Sequence, residues 1–148
     1  MPSFRHLSRQ LVFQALFAEH YQPDEQSGFL QYMIDNFGIN LPDVKFAKDL
    51  HKAVNDSMLE SEELIQEYAP EWPLDKIAVA DKLILCLGLT EILYFQQAPA
   101  LVAINEAIEL AKEFGTENSS KFINAVLSKV AEAKLGAQSL SKPKANAQ

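Results

Sequence analysis

The sequence predicts an all-α fold of about seven helices. Apolar residues recur every three or four positions along most of the chain, as in Phe46, Ala47, Leu50 and Val54. Breaker clusters separate these periodic runs, at Gln22-Pro23-Asp24, Asn40-Leu41-Pro42, Pro70 to Pro73, Pro99 and Gly115. No segment carries a convincing strand pattern.

The first helix is expected from about Ser3 to His20, with Leu7, Leu11, Phe13, Ala15 and Leu16 on its apolar side. Phe29, Leu30, Met33, Ile34 and Phe37 mark a second helix, closed by Gly38 and the Asn40-Leu41-Pro42 turn. A third follows an Asp43 cap. A fourth covers about Met58 to Tyr68, with Leu59, Leu64, Ile65 and Tyr68 inward. Trp72 then sits in a loop between Pro70 and Pro73. The fifth, about Leu74 to Gln97, is apolar nearly all round and belongs in the middle of a bundle. Gly88 within it weakens the helix by about 1 kcal/mol relative to Ala, so a neighbour is expected to pack close to its backbone. The sixth helix follows Pro99 and places Ile104, Ala107, Ile108 and Ala111 inward. Gly115 is expected as its C-terminal cap, and Thr116 as the cap of the seventh, whose inner stripe is Phe122, Ile123, Val126, Leu127 and Val130. Residues 1–135 thus form one domain, and the Ser-, Lys- and Ala-rich stretch 136–148 is expected to be a disordered tail.

With 148 residues, 48% apolar and 22% charged, the chain suffices for one domain with a real core. No apolar run reaches the roughly 18 residues of a membrane span; the longest, Ile77 to Phe95, is interrupted by Asp81, Lys82 and Glu91. Gln10, Gln14, Glu19 and His20 exclude a signal peptide at the N-terminus. The single cysteine, Cys86, falls in the central helix as a small core residue and points to a reducing cytoplasm. The net charge of −7 argues against nonspecific nucleic-acid binding. The charge is nevertheless uneven. Seven acids and no Lys or Arg lie between Asp56 and Asp75, whereas five lysines face Glu132 alone from Lys121 onward. Such a chain offers RNA a basic face and a basic protein an acidic one.

Catalytic and metal chemistry find no footing. His6, His20 and His51 match no metal-ligand spacing, and no phosphate loop, nucleophile elbow or CxxC is present. Glu106 and Glu109 share roughly one helix side but have no Glu-x-x-His pattern beside them, so they read as structural or solvated. No enzyme activity, metal or cofactor is expected. The joint at Gly115 is different. A helix start exposes unpaired N–H groups and favours phosphate. Here Asn118, Ser119 and Ser120 add hydrogen-bonding groups and Lys121 a cation, while Phe114 and Phe122 offer faces for base stacking worth about 1–3 kcal/mol per base. Taken singly, Phe122 fits the core and Thr116 and Ser119 are ordinary capping residues; taken together, they point to single-stranded RNA. Arg5 and Arg9, at i and i+4 with His6 beside them, would complete the site if the first helix lies alongside.

The stretch Val102 to Gly115, VAINEAIELAKEFG, continuing through Ser119-Ser120-Lys121-Phe122-Ile123-Asn124-Ala125-Val126-Leu127, resembles the NusB family of transcription antitermination factors. The Gln14-Ala15-Leu16-Phe17 run, and Asp81-Lys82 with Leu85, Leu89 and Glu91, resemble the family's first and fifth helices. The resemblance implies two packed helical bundles. It also implies binding of boxA RNA together with the small-subunit ribosomal protein NusE, within an RNA polymerase elongation complex on ribosomal RNA operons. Carried over, RNA contacts fall on Arg5, His6, Arg9, Phe17, Phe114, Asn118, Ser119, Lys121 and Phe122, and the partner meets Asp81. His6, Leu7 and Leu101 stand where the family is often basic, which should weaken RNA affinity. Asn118 stands where an aspartate is common, which removes repulsion with phosphate. These departures leave open a second function: a helical protein-interaction adaptor with no RNA binding of its own.

Overall fold

The computed structural model describes residues 4–23, 28–38, 41 and 43–140. The expected helix start at Ser3, Asp24 in the first break, Asn40 and Pro42 in the second, and residues 141–148 of the expected tail lie outside the described residues. Seven α-helices appear among the described residues: α1 Phe4–Tyr21, α2 Phe29–Phe37, α3 Val44–Asp56, α4 Met58–Tyr68, α5 Val79–Leu89, α6 Ala100–Phe114 and α7 Ser119–Leu135.

α1 packs on α2 and α3 to form one bundle, and α4, α5, α6 and α7 form the other. α5 joins the two by also contacting α1. Its run from Leu83 to Leu89 is buried on every side, as its all-round apolar sequence requires. Each such Leu or Ile contributes about 1.5–3 kcal/mol by leaving water. Gly88 lies against α6 and α7: a Cβ there would stand 2.8 Å from Leu127 Cδ1 and 3.5 Å from the Ala107 Cβ. The close neighbour expected from the sequence is therefore present.

Asp43 caps α3 as expected, accepting the Phe46 N–H at 3.0 Å. α3 and α4 are separated by Ser57 alone, whose hydroxyl reaches the Ala53 carbonyl at 2.8 Å and Thr90 Oγ1 at 2.9 Å. α4 departs from expectation in its inner face: Leu59 is 72% exposed, and Ser61 is buried beside Leu64 and Ile65. The helix turns so that Leu64, Ile65 and the small Ser61 share the face toward the core.

The long fifth helix expected from Leu74 to Gln97 is in fact three pieces. Leu74–Lys76 forms a 3-10 turn, Ile77 and Ala78 are extended, and α5 proper ends at Leu89 in a wide π turn, Thr90–Tyr94. The Phe95 N–H reaches five residues back to the Thr90 carbonyl at 2.7 Å. Thr90 bonds back to the Cys86 carbonyl at 2.7 Å, which competes with regular helix continuation. The chain also remains ordered past Gly136: Ala137–Leu140 forms a 3-10 turn against α6 and α7, where composition predicts no structure.

Candidate nucleic-acid interface

The α6–α7 joint is held by Ser119 rather than by Thr116. α7 begins at Ser119 with Asn118 as its N-cap residue. Ser119 Oγ accepts the Thr116 N–H at 2.9 Å, so the expected roles are exchanged. Gly115 is the C-cap of α6, but its backbone is extended at φ −99°, ψ −166°, not left-handed. Glycine is required there by space: a Cβ would meet Ser119 Oγ at 2.5 Å, its Cβ at 2.6 Å and the Ala111 carbonyl oxygen at 2.8 Å. A buried hydroxyl lying over a bare Cα thus sets the angle at which α7 leaves α6.

This angle presents the start of α7 to a cavity of about 280 Å³. Asn118, Ser119 and Phe122 line it from one side, and Trp72, Lys76 and Asp81 from the other. Asn118 is exposed and its side chain makes no capping hydrogen bond, leaving the amide available to a ligand. Phe122 is half-buried and meets the Trp72 ring edge-on, with centroids 6.2 Å apart. Lys121 is exposed and forms no ion pair among the described residues. Ser119, by contrast, is buried with its hydroxyl turned to the Thr116 N–H. Expected as an RNA contact, Ser119 instead shapes the joint, because its hydroxyl is already bonded. Asp81, expected on the partner's side, shares the cavity with the residues expected to face RNA. Its Oδ1 has no hydrogen-bond partner among the described residues.

Phe17 and Phe114 lie beside a second cavity, of about 380 Å³, with Phe13, Gln14, Met33 and Ala80. Phe114 stacks on Phe13 with centroids 4.7 Å apart, and Phe13, Phe17 and Tyr21 continue a line of rings along α1 at 5.9 Å and 5.0 Å. Phe17 is 37% exposed and Tyr21 more so, which gives this line an open end. Phe114 and Phe122, both expected to offer faces for base stacking, therefore line different hollows.

The N-terminal cations are all engaged within the protein. Arg9 is 2% exposed and cannot meet RNA as expected. Its Nε and Nη2 donate to the two Glu91 carboxylate oxygens at 2.7 and 2.8 Å, and Nη1 stands 3.3 Å from Glu106 Oε1. A guanidinium taken out of water needs such a carboxylate. The π turn delivers it, because Glu91 lies inside that turn and faces inward. Arg5 lies 4.4 Å above the Phe46 ring, 3.9 Å from Asp43 and 3.4 Å from the Gln97 carbonyl. His6 sits between Glu106 and Glu113, with Nδ1 and Nε2 each 2.7 Å from a carboxylate oxygen. A neutral imidazole has one N–H, so bonding carboxylates at both nitrogens calls for the imidazolium. Burial works against that charge, but the hydrogen bonds and proximity of Glu106 and Glu113 outweigh it and raise the His6 pKa above its ordinary value. Glu106 thus has a structural role in tying α6 to α1.

Trp72, Lys76, Glu91 and Glu113 belong to these arrangements although nothing singled them out in the sequence as site residues. Two signals were available. A tryptophan between prolines is a ring held in place, and a glutamate in an apolar helix needs a buried cation. Among the described residues, no group of three or more His, Cys, Asp or Glu side chains is placed to hold a metal ion. No helix among them is long and apolar enough to cross a membrane.

Comparison with known proteins bears out the fold class and the family resemblance. The NusB family model matches residues 6–132. The transcription antitermination protein NusB of Campylobacter lari is 39% identical over 126 residues, covering 85% of this chain and 94% of the relative. That of Desulforudis audaxviator is 36% identical over 129 residues, covering 86% and 93%. The solved NusB of T. maritima is 31% identical with a TM-score of 0.78, covering 89% of this chain and 93% of that one. The same fold appears, at 20% identity and a TM-score of 0.79, in a complex of the antitermination factors NusB and NusE with double-stranded RNA, covering 90% and 99%. The chain belongs to the NusB family.

Proposed function

We propose that this protein is a transcription antitermination factor. It binds boxA-type single-stranded RNA jointly with the ribosomal protein NusE and promotes processive transcription of ribosomal RNA operons. It acts in the cytoplasm, beside transcribing RNA polymerase. Its relatives are named transcription antitermination proteins, and a protein of the same fold has been solved with NusE and RNA. The observation that carries the reading is the shared cavity. Asp81 offers a carboxylate to a basic protein at the place where Asn118, Phe122 and the neighbouring Lys121 offer an amide, a ring and a cation to RNA. Two modest sites that adjoin can hold one RNA better than either alone.

Because Arg9 is buried and Arg5 and His6 are paired with carboxylates in the free protein, the start of α7 supplies the unpaired charge and the partner becomes necessary. The first RNA contacts then fall on Phe17, Phe114, Asn118, Lys121 and Phe122, with Ser119 and Arg9 shaping the scaffold beneath. Titrating boxA-type RNA with and without the ribosomal partner tests this; affinity that does not rise on adding the partner would sink it. The same engagement of the N-terminal cations favours a second reading, a protein-interaction adaptor that does not bind RNA. Partner binding without RNA binding, even in the heterodimer, would select that reading.

A further inference from the structure

His6 belongs to a cluster of two cations and three carboxylates that ties α1 to α6. Arg9 and protonated His6 bring two positive charges; Glu91, Glu106 and Glu113 bring three negative ones. Arg9 is committed to Glu91 and Glu106 in the interior. Glu113 is the outermost of the three carboxylates, with a side chain 33% exposed against 14% for Glu106 and 2% for Glu91. It accepts from His6 Nε2 at 2.7 Å and from the Gln10 amide. Glu113 is the residue before Phe114, whose ring packs on Phe13 of the same α1 helix, so both residues of α6 lie along α1.

We infer that Glu113 is an intramolecular competitor of RNA phosphate: in the free protein it occupies the donors of His6 and Gln10 that an RNA phosphate takes in the complex. A carboxylate and a phosphate oxygen ask for the same N–H donors and the same positive charge. Glu113 therefore sets the RNA affinity of the α1 face: the His6 side chain is 14% exposed, and Glu113, the more exposed of the two at 33%, is the group that gives way to phosphate. The inference rests on the proposed RNA-binding function and assigns to it an affinity-determining residue outside the α6–α7 cavity.

The test is a cycle of variants in the heterodimer with the ribosomal partner, titrated with boxA-type RNA at about pH 6, where His6 is charged. Glu113→Gln is expected to tighten binding about three-fold, as for a partly exposed charge. It should also steepen the salt dependence by about 0.7, the slope of one single-strand phosphate contact. In a His6→Ala background the same change is expected to gain less than half as much. Glu109→Gln, an equal charge change on the same helix with no contact to His6, is expected to have the smaller effect. Gains that are equal in both backgrounds, or equal for Glu109→Gln, would mean simple repulsion and overturn the inference. So would the absence of any gain when the wild type binds RNA. If the wild-type heterodimer binds no RNA, the functional reading falls and this inference with it. The His6 pKa, followed by NMR without RNA, is expected to drop in Glu113→Gln; an unchanged pKa contradicts the contact itself.

Discussion

Arg9 and Glu91 form a two-pronged ion pair in the interior, where α1 crosses the π turn that follows α5. Both side chains are 2% exposed, so neither charge has water to fall back on. Removing either partner strands the other. Arg9→Ala or Glu91→Ala is expected to lose about 3–5 kcal/mol in denaturant unfolding. Arg9→Lys keeps the charge but not the fork and should also destabilise. Because Arg9 does not face RNA, a folded Arg9→Met, Glu91→Leu double variant, which removes both charges together, should keep the wild-type salt dependence of RNA binding. A slope reduced by about one unit would instead make Arg9 a phosphate contact.

Gly115 and Gly88 both leave room for a neighbour, but the neighbours differ. At Gly115 the obstacles are the buried Ser119 side chain and a backbone carbonyl; at Gly88 they are the ends of Leu127 and Ala107. Gly115→Ala should cost about 1–3 kcal/mol and weaken RNA binding, since α7 must shift. Gly88→Ala should cost less, because helix propensity returns about 1 kcal/mol. Thermal unfolding of the two variants side by side checks the order.

The His6 clasp makes part of the stability depend on pH. Its pKa is raised in the folded protein by Glu106 and Glu113, against the effect of burial. A raised pKa means the folded state binds the proton more tightly than the unfolded state. The contribution is therefore complete below the unfolded value of about 6.5 and fades as the pH rises through the folded value. Unfolding midpoints of wild type and His6→Ala should converge on going from about pH 6 to pH 8. A gap that widens with pH would contradict the assignment.

Cys86 is buried among apolar side chains, and its thiol is pushed up to about 12, chiefly by that burial. Thiol reagents should leave it unmodified in the native protein and label it on unfolding. Rapid native labelling would mean that α5 is not the closed centre of the fold.

Asn118→Asp separates stability from binding. A carboxylate at a helix N-terminus is favourable by about 0.3–1 kcal/mol, and Asn118 is the N-cap of α7. The variant should thus be as stable as the wild type or more so, yet bind RNA more weakly. Lys121→Ala should weaken RNA binding and reduce its salt slope by about one unit. Unchanged binding in both variants would move the RNA site away from the start of α7.

The helices were legible because apolar spacing and breakers agree along this chain. Leu64, Ile65 and the Leu83–Leu89 run could be placed in the core from periodicity alone. Leu59 could not, since a helix wheel does not say which edge of its apolar stripe the neighbours cover. The π turn was hidden for a related reason: the pairing it serves, Glu91 with an arginine some eighty positions earlier in the chain, exists only in space. The candidate site was legible in its residue types and not in its pairings. Asn118, Lys121 and Phe122 lie where the sequence points, but Arg5, His6 and Arg9 resemble RNA contacts in sequence and are neutralised by Asp43, Glu106, Glu113 and Glu91 in space. The converse holds for Trp72, which no motif marks and which the fold sets against Phe122.

The most direct test of the account is a map of amide NMR shifts in the labelled protein, bound to its ribosomal partner, as boxA-type RNA is added. The largest changes on adding RNA are expected at Thr116 to Phe122, at Trp72 and around Phe17. Changes confined to α3 or to the outer face of α2, with the α6–α7 joint unmoved, would contradict it.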